Sequence, residues 1–222
     1  EGILDERSLN NFLKRLKKNG SKFSYRKVQN KSRKVYEANI TVFDALKKSD
    51  TDPNGKFFLE RYIAAHAIMI SFEGIPAIYF NSLFGKSNDE AKYVITGNNR
   101  DINRYKWNYE NIIKKLNDKN SKQSIFYQNL GKLLEIKRKQ KAFHPNAKRL
   151  NINLGSKLFC FKRISLDKKQ TIISITNCSS VDQYPKLSKK YDKWKNVINP
   201  KNNSLNKSLK LKPFETMWLS NI

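Results

Sequence analysis

The apolar residues of this 222-residue chain change their spacing partway along it. Up to about residue 141 they recur in blocks at three- and four-residue steps. Beyond residue 147 they form short alternating or continuous runs. Asp5 followed by Glu6 reads as a helix start, and Leu9, Phe12, Leu13 and Leu16 then repeat on one side. Lys17 and Lys18 suit the negative end of that helix and Gly20 its C-terminal cap, which predicts a helix over 5–18. Lys56 to Phe72 carries the strongest helical pattern. Phe58, Tyr62, Ala65 and Met69 fall on one side with Leu59, Ile63 and Ile70 close by, an apolar girth that implies burial of much of the surface. Gly74 and Pro76 break it. Ile75 to Phe80 then reads as a fully buried strand of a parallel sheet, so helix, tight turn and strand make half of a βαβ unit. Ser121 to Lys141 returns to helical spacing until His144-Pro145-Asn146 stops it.

The runs Leu158–Ile164, Thr171–Thr176 and Thr216–Leu219 look like strands separated by Asn- and Lys-rich turns. They predict a small antiparallel β domain. The biased piece from Asn196 to Lys212 reads as a hairpin with a loop. Residues 19–54 and 81–105 are polar and read as irregular. Loops this long inside a compact domain are uncommon and often functional. A long loop after the C-terminal end of a parallel strand is where α/β barrels place their chemistry.

Composition narrows the possibilities further. Lys and Arg number 45 against 19 acidic residues, a net charge of +26. Such an excess attracts anionic partners. The lysines are nevertheless scattered along nearly every segment, and no recognisable nucleic-acid motif accompanies them, so nucleic acid is not the expected partner. Cys160 and Cys178 form no C-x-x-C pair, and their spacing suggests neither a zinc site nor a disulfide framework. Two lone core thiols in a reducing compartment is the expectation. No apolar run approaches the ~18 residues that a membrane span needs. The chain opens on Glu1 with no charged-then-apolar leader, and its natural N-terminus is expected to lie upstream. A cytoplasmic protein without a cofactor fits these features. The oligomeric state is left open.

Several segments together resemble a known family. Arg61-Tyr62-Ile63-Ala64-Ala65-His66-Ala67-Ile68-Met69, followed by Gly74-Ile75-Pro76-Ala77-Ile78-Tyr79-Phe80, resembles the seventh helix and eighth strand of α-amylase superfamily barrels. Asn81-Ser82-Leu83-Phe84-Gly85-Lys86-Ser87-Asn88-Asp89 and Asn98-Asn99-Arg100-Asp101-Ile102-Asn103-Arg104 resemble loops of sucrose phosphorylase and its relatives. Tyr36-Glu37-Ala38-Asn39 is similar to a substrate-loop motif of the same group, and His144-Pro145-Asn146-Ala147 also fits it. The resemblance implies an α/β fold: residues 1–147 as the C-terminal part of a (β/α)₈ TIM barrel that includes strand 8, and residues 148–222 as a small antiparallel β domain.

The resemblance also implies a retaining α-glucoside phosphorylase. Such an enzyme transfers glucosyl from sucrose, glucosylglycerol or glucosylglycerate to inorganic phosphate. Two carboxylates about 5 Å apart perform the double displacement, one as nucleophile and one as acid then base. In the family these residues, and a third aspartate, lie on strands before the eighth, so no catalytic residue is expected in this chain and the chain alone is expected to be inactive. Substrate contacts are expected from Tyr36, Glu37, Asn81 and Arg100. Arg100 matches the loop arginine of the acceptor or phosphate subsite, and a planar guanidinium grips phosphate oxygens with two parallel hydrogen bonds. From position alone it reads as a solvated arginine or a partner of Asp101, and the motif match reverses that. Tyr36 matches a tyrosine lining the acceptor side, where it can pack on a sugar ring and keep its hydroxyl for a hydrogen bond. Sucrose-specific members are expected to carry glutamine where Glu37 stands; glutamate fits relatives acting on glucosylglycerol or glucosylglycerate. Asn81 replaces a histidine of many relatives, and it reads either as a pocket residue or as a simple turn. Asn103 and Arg104 are expected to hold the loop, and His66 to be a hydrogen-bonded core histidine. A hydrolase or transglucosylase on the same scaffold, and a basic nucleic-acid-binding module, are the alternatives.

Overall fold

The computed structural model describes residues 3–28, 31–200 and 209–222. In chain order it contains α1 (Glu6–Lys18), β1 (Lys22–Val28), β2 (Lys31–Asn39), α2 (Val42–Lys47), α3 (Phe58–Ser71), α4 (Phe80–Leu83), α5 (Glu90–Thr96), α6 (Tyr109–Asn117), α7 (Lys122–Arg138), β3 (Lys148–Ile152), β4 (Leu158–Ile164), β5 (Thr171–Asn177), β6 (Lys195–Asn196) and β7 (Thr216–Ser220). The chain divides into two compact units, 1–55 with 78–127 and 56–77 with 128–222. The middle of the hairpin expected over 196–212, residues 201–208, lies outside the described residues.

The second unit is built on one sheet with strand order β3-β4-β5-β7-β6, antiparallel at every pairing. The strands expected at 158–164, 171–176 and 216–219 are present as β4, β5 and β7. Central β5 is buried on both faces, which is why Ile172 and Ile173 are adjacent instead of alternating strictly with polar residues. One face of the sheet collects Cys160, Ile173, Ile175, Met217 and Leu219. On the other, Trp218 meets Phe143 edge to face, with ring centroids 4.8 Å apart. The Ser71 hydroxyl of α3 lies 3.3 Å from that of Ser174. Because α3 packs on the sheet, this unit takes in 56–77 as well as the strands that begin at Lys148.

The carbonyls at the end of a helix need partners that the helix itself cannot supply. Arg163 of β4 provides one: its Nη1 donates to the Ser71 carbonyl at 2.9 Å and its Nη2 to the His144 carbonyl at 2.6 Å. His66 is buried mid-helix with Nδ1 2.9 Å from the Tyr62 carbonyl, and burial lowers its pKa. It is a core histidine, as expected. Cys160 is buried and its thiol pushed up to about 12 by desolvation. Cys178 is exposed, which corrects the expectation of two core thiols.

In the first unit α1 forms where expected, with the Asp5 carboxylate accepting from Ser8 N at 2.8 Å. Gly20 follows at φ +95°, a conformation that favours glycine. Residues 19–54 are not irregular: β1 and β2 pair antiparallel and α2 follows, capped by Thr41. The register shifts between Ser24 and Tyr25 and again between Arg26 and Val28, so the polar–apolar alternation on which a strand reading depends is interrupted. Residues 81–105 likewise hold α4, α5 and a 3₁₀ turn, Asn99–Asn103. Gly85, at φ +57°, lets the backbone approach Phe126, whose ring would lie 2.8 Å from an added Cβ.

The buried parallel strand expected over 75–80 is the main correction. Residues 75–79 belong to no strand, and Phe80 begins α4. Ile75 is 84% exposed and Phe80 56%. A strand is held by the N–H and C=O groups of a neighbour, and among the described residues none pairs with this segment.

Candidate functional site

Three of the four expected substrate residues lie together in the first unit. Tyr36 and Glu37 sit on β2, where Glu37 pairs with Ser24 immediately before the register shift. Arg100 lies on the 3₁₀ turn. That turn is shaped locally: α5 ends at Gly97 with φ +64°, and the Asn98 side chain accepts from Arg100 N at 3.1 Å.

Side-chain amides then fasten the turn to the hairpin. Asn99 Nδ2 donates to the Phe23 carbonyl at 3.0 Å and the Ser24 hydroxyl at 3.2 Å. Asn103 Nδ2 donates to the Ile40 carbonyl at 3.5 Å, the loop-holding role expected of it. With the backbone fixed in this way, Arg100 Nε reaches both Glu37 carboxylate oxygens at 3.2 Å. The Glu37 carboxylate, followed by Tyr36, holds the Arg100 pKa above its usual value, so the guanidinium stays charged. Asp101 pairs with Lys92 at 3.1 Å rather than with Arg100. Hydrogen bonds from Thr96 and then Lys92 lower the Asp101 pKa. Tyr36 is 54% exposed, and the Arg100 side chain 48%. Both side chains are therefore partly exposed to solvent.

Asn81 is placed differently. It is buried, its Nδ2 donates to the Asn103 and Tyr105 carbonyls at 3.3 and 3.1 Å, and its Oδ1 accepts from Trp107 Nε1 at 2.8 Å. These bonds hold the chain that follows Arg100. Asn88 has a comparable role that the sequence reading missed. Its Oδ1 accepts from Thr41 N at 2.9 Å, and its own N–H donates to the Asp44 carboxylate at 2.5 Å. Asn99 was missed for the same reason. A local pattern can suggest that an asparagine caps a turn, but not that its amide reaches a strand more than seventy residues earlier. Among the described residues no group of three His, Cys, Asp or Glu side chains could hold a metal ion. No described helix is long and apolar enough to cross a membrane.

No family model matches the chain. It is 28% identical over 218 residues to glucosylglycerate phosphorylase of Escherichia coli (strain K12), covering 98% of this chain and 38% of that protein. It is 29% identical over 182 residues to glucosylglycerate phosphorylase of Spirochaeta thermophila, covering 82% of this chain and 30% of that protein. A shorter match, 38% identical over 71 residues, is to sucrose phosphorylase of Agrobacterium vitis, covering 32% of this chain and 13% of that protein. Among solved structures, sucrose 6F-phosphate phosphorylase from Thermoanaerobacter thermosaccharolyticum aligns with a TM-score of 0.59 at 19% identity, covering 96% of this chain and 36% of that one. Trehalose-6-phosphate hydrolase from Bacillus licheniformis aligns at 0.55 with 16% identity, covering 78% of this chain and 40% of that one. At these identities the structural likeness shows a shared fold. The chain thus spans well under half the length of these proteins, and over that part it is similar in sequence to glucosylglycerate and sucrose phosphorylases.

Proposed function

We propose that this chain is the C-terminal part of a retaining α-glucoside phosphorylase acting on a small glucoside and inorganic phosphate. The observation that carries the reading is the convergence of Tyr36, Glu37 and Arg100 from segments about sixty residues apart in sequence, with the Arg100 guanidinium charged and partly open. Glu37 engages Nε and Tyr36 also bonds the guanidinium, which orients the fork for a phosphate or carboxylate that takes up its remaining N–H groups. Tyr36 beside it offers a ring to a sugar or glycerol moiety. Asn81 contributes through the loop it holds rather than by direct contact.

In this reading residues 75–80 form the eighth strand of a (β/α)₈ barrel once parallel neighbours are present. Residues 148–222 are its C-terminal β domain, and the carboxylates of the double displacement belong to the barrel's earlier strands. The exposure of Ile75 and the lack of a described strand beside it support this, because they are what a barrel stave without neighbours would show. A cytoplasmic location suits an enzyme that uses inorganic phosphate and yields a sugar phosphate.

The test is to assay the protein encoded by the complete reading frame, and the 222-residue chain alone, on glucosylglycerate, glucosylglycerol and sucrose. Phosphate-dependent release of glucose 1-phosphate by the former, and none by the latter, is expected. Free glucose released at the same rate without phosphate would replace this reading with the hydrolase one.

A further inference from the structure

The hairpin that carries Tyr36 has a charge pattern that folding does not explain. Of the fifteen residues from Lys22 to Tyr36, six are Lys or Arg and none is acidic. Arg26 stands directly across the ladder from Lys34. Like charges opposite one another destabilise a strand pair. Arg26, Lys27, Arg33 and Lys34 are all exposed. Among the described residues no ion pair offsets them; three acids of this unit are engaged elsewhere, Glu90 with Lys22, Asp101 with Lys92 and Glu37 with Arg100. The strip continues toward the site, since Lys34 precedes Glu37 by three residues on β2, or about 10 Å at the rise of a strand. That is about one Debye length at 0.1 M salt, so the strip's field still reaches Arg100 at moderate ionic strength.

We infer that this basic hairpin is an electrostatic funnel that concentrates small anions at Arg100, inorganic phosphate and carboxylate- or phosphate-bearing glucosides among them. The inference rests on the phosphorylase reading and adds to it the role of the hairpin. The hairpin tolerates the Arg26–Lys34 repulsion because a ligand anion is drawn along it. Neutral acceptors such as glycerol gain nothing from the strip.

The protein encoded by the complete reading frame tests this with inorganic phosphate as the probe, by calorimetric or ³¹P NMR titration. One variant combines Arg26→Gln, Lys27→Gln, Arg33→Gln and Lys34→Gln. A second removes the same charge from the β unit through Lys186→Gln, Lys189→Gln, Lys193→Gln and Lys195→Gln, all exposed positions. The hairpin variant is expected to bind phosphate about tenfold more weakly at ~10 mM ionic strength, with the difference falling below about twofold near 0.5 M. It should melt no lower than the parent chain, because repulsion is removed. The second variant should change affinity by no more than about twofold at either salt concentration. Equal losses in the two variants would assign the effect to net charge and overturn the funnel, as would no loss in the hairpin variant. If phosphate binding survives Arg100→Gln unchanged, or the parent chain shows no saturable binding, the acceptor site itself fails and the funnel with it.

Discussion

The chain contains two kinds of antiparallel hairpin, and they are stabilised in opposite ways. β4–β5 lies inside a five-stranded sheet whose two faces are both covered, and its turn is fastened by Ser165, Asp167 and Gln170. β1–β2 is a two-stranded ribbon with two register shifts, a basic ladder pair and exposed Tyr25 and Tyr36. An isolated ribbon of this kind is marginal on its own. It depends on the amides of Asn99 and Asn103, which tie it to the turn carrying Arg100. One hairpin is thus part of a hydrophobic core, while the other is held by polar bonds that also assemble the candidate site.

Truncating core side chains tests this contrast most severely. Trp218→Ala should cost about 3–5 kcal/mol, since it empties a fully buried position against Phe143. Ile95→Ala, on exposed α5, should stay within about 0.5 kcal/mol. Urea unfolding of both variants checks this, and comparable losses would mean that the exposed apolar residues of the first unit are covered in solution. Arg163→Met comes next. It leaves the Ser71 and His144 carbonyls without their buried donor, at a cost of about 3 kcal/mol. Asn81→Ala should cost about 2 kcal/mol and speed amide exchange around residues 99–105 before any global unfolding. If exchange there is unaltered, Asn81 does not hold the loop.

The same contrast decides what could be read from sequence. Phe58–Ser71 and Thr171–Thr176 were legible because packing in the second unit imposes a period on the apolar residues. The β1–β2 hairpin was not, although Phe23 and Tyr25 alternate, because the bulge and the six cations hide the rhythm. Tyr36, Glu37 and Arg100 were singled out only through family resemblance. The meeting of Glu37 and Arg100 at 3.2 Å follows from the long-range bonds of Asn99, which no local pattern encodes. The run Ile75–Phe80 shows the converse. Its apolar composition predicts a buried strand, yet burial needs a neighbouring strand, and composition cannot supply one.

The smallest expected effect contrasts the two hairpins through their response to pH. The Asp167 carboxyl is held at about 2, first by the Ser165 hydroxyl, then by the Lys169 N–H, with Lys141 adding to it. Its folded pKa lies below the unfolded value of about 3.9, so its contribution is complete above pH ~4 and disappears as pH falls toward ~2. Asp167→Asn should therefore lower melting temperature slightly at neutral pH and flatten the acid limb of the stability curve between those values. Screening by salt is what should relieve the Arg26–Lys34 pair. Raising ionic strength at pH 7 should stabilise the parent chain relative to Arg26→Gln. An Asp167→Asn variant whose acid limb matches the parent's would show that its turn is held by backbone bonds alone, and the two hairpins would then differ only in burial.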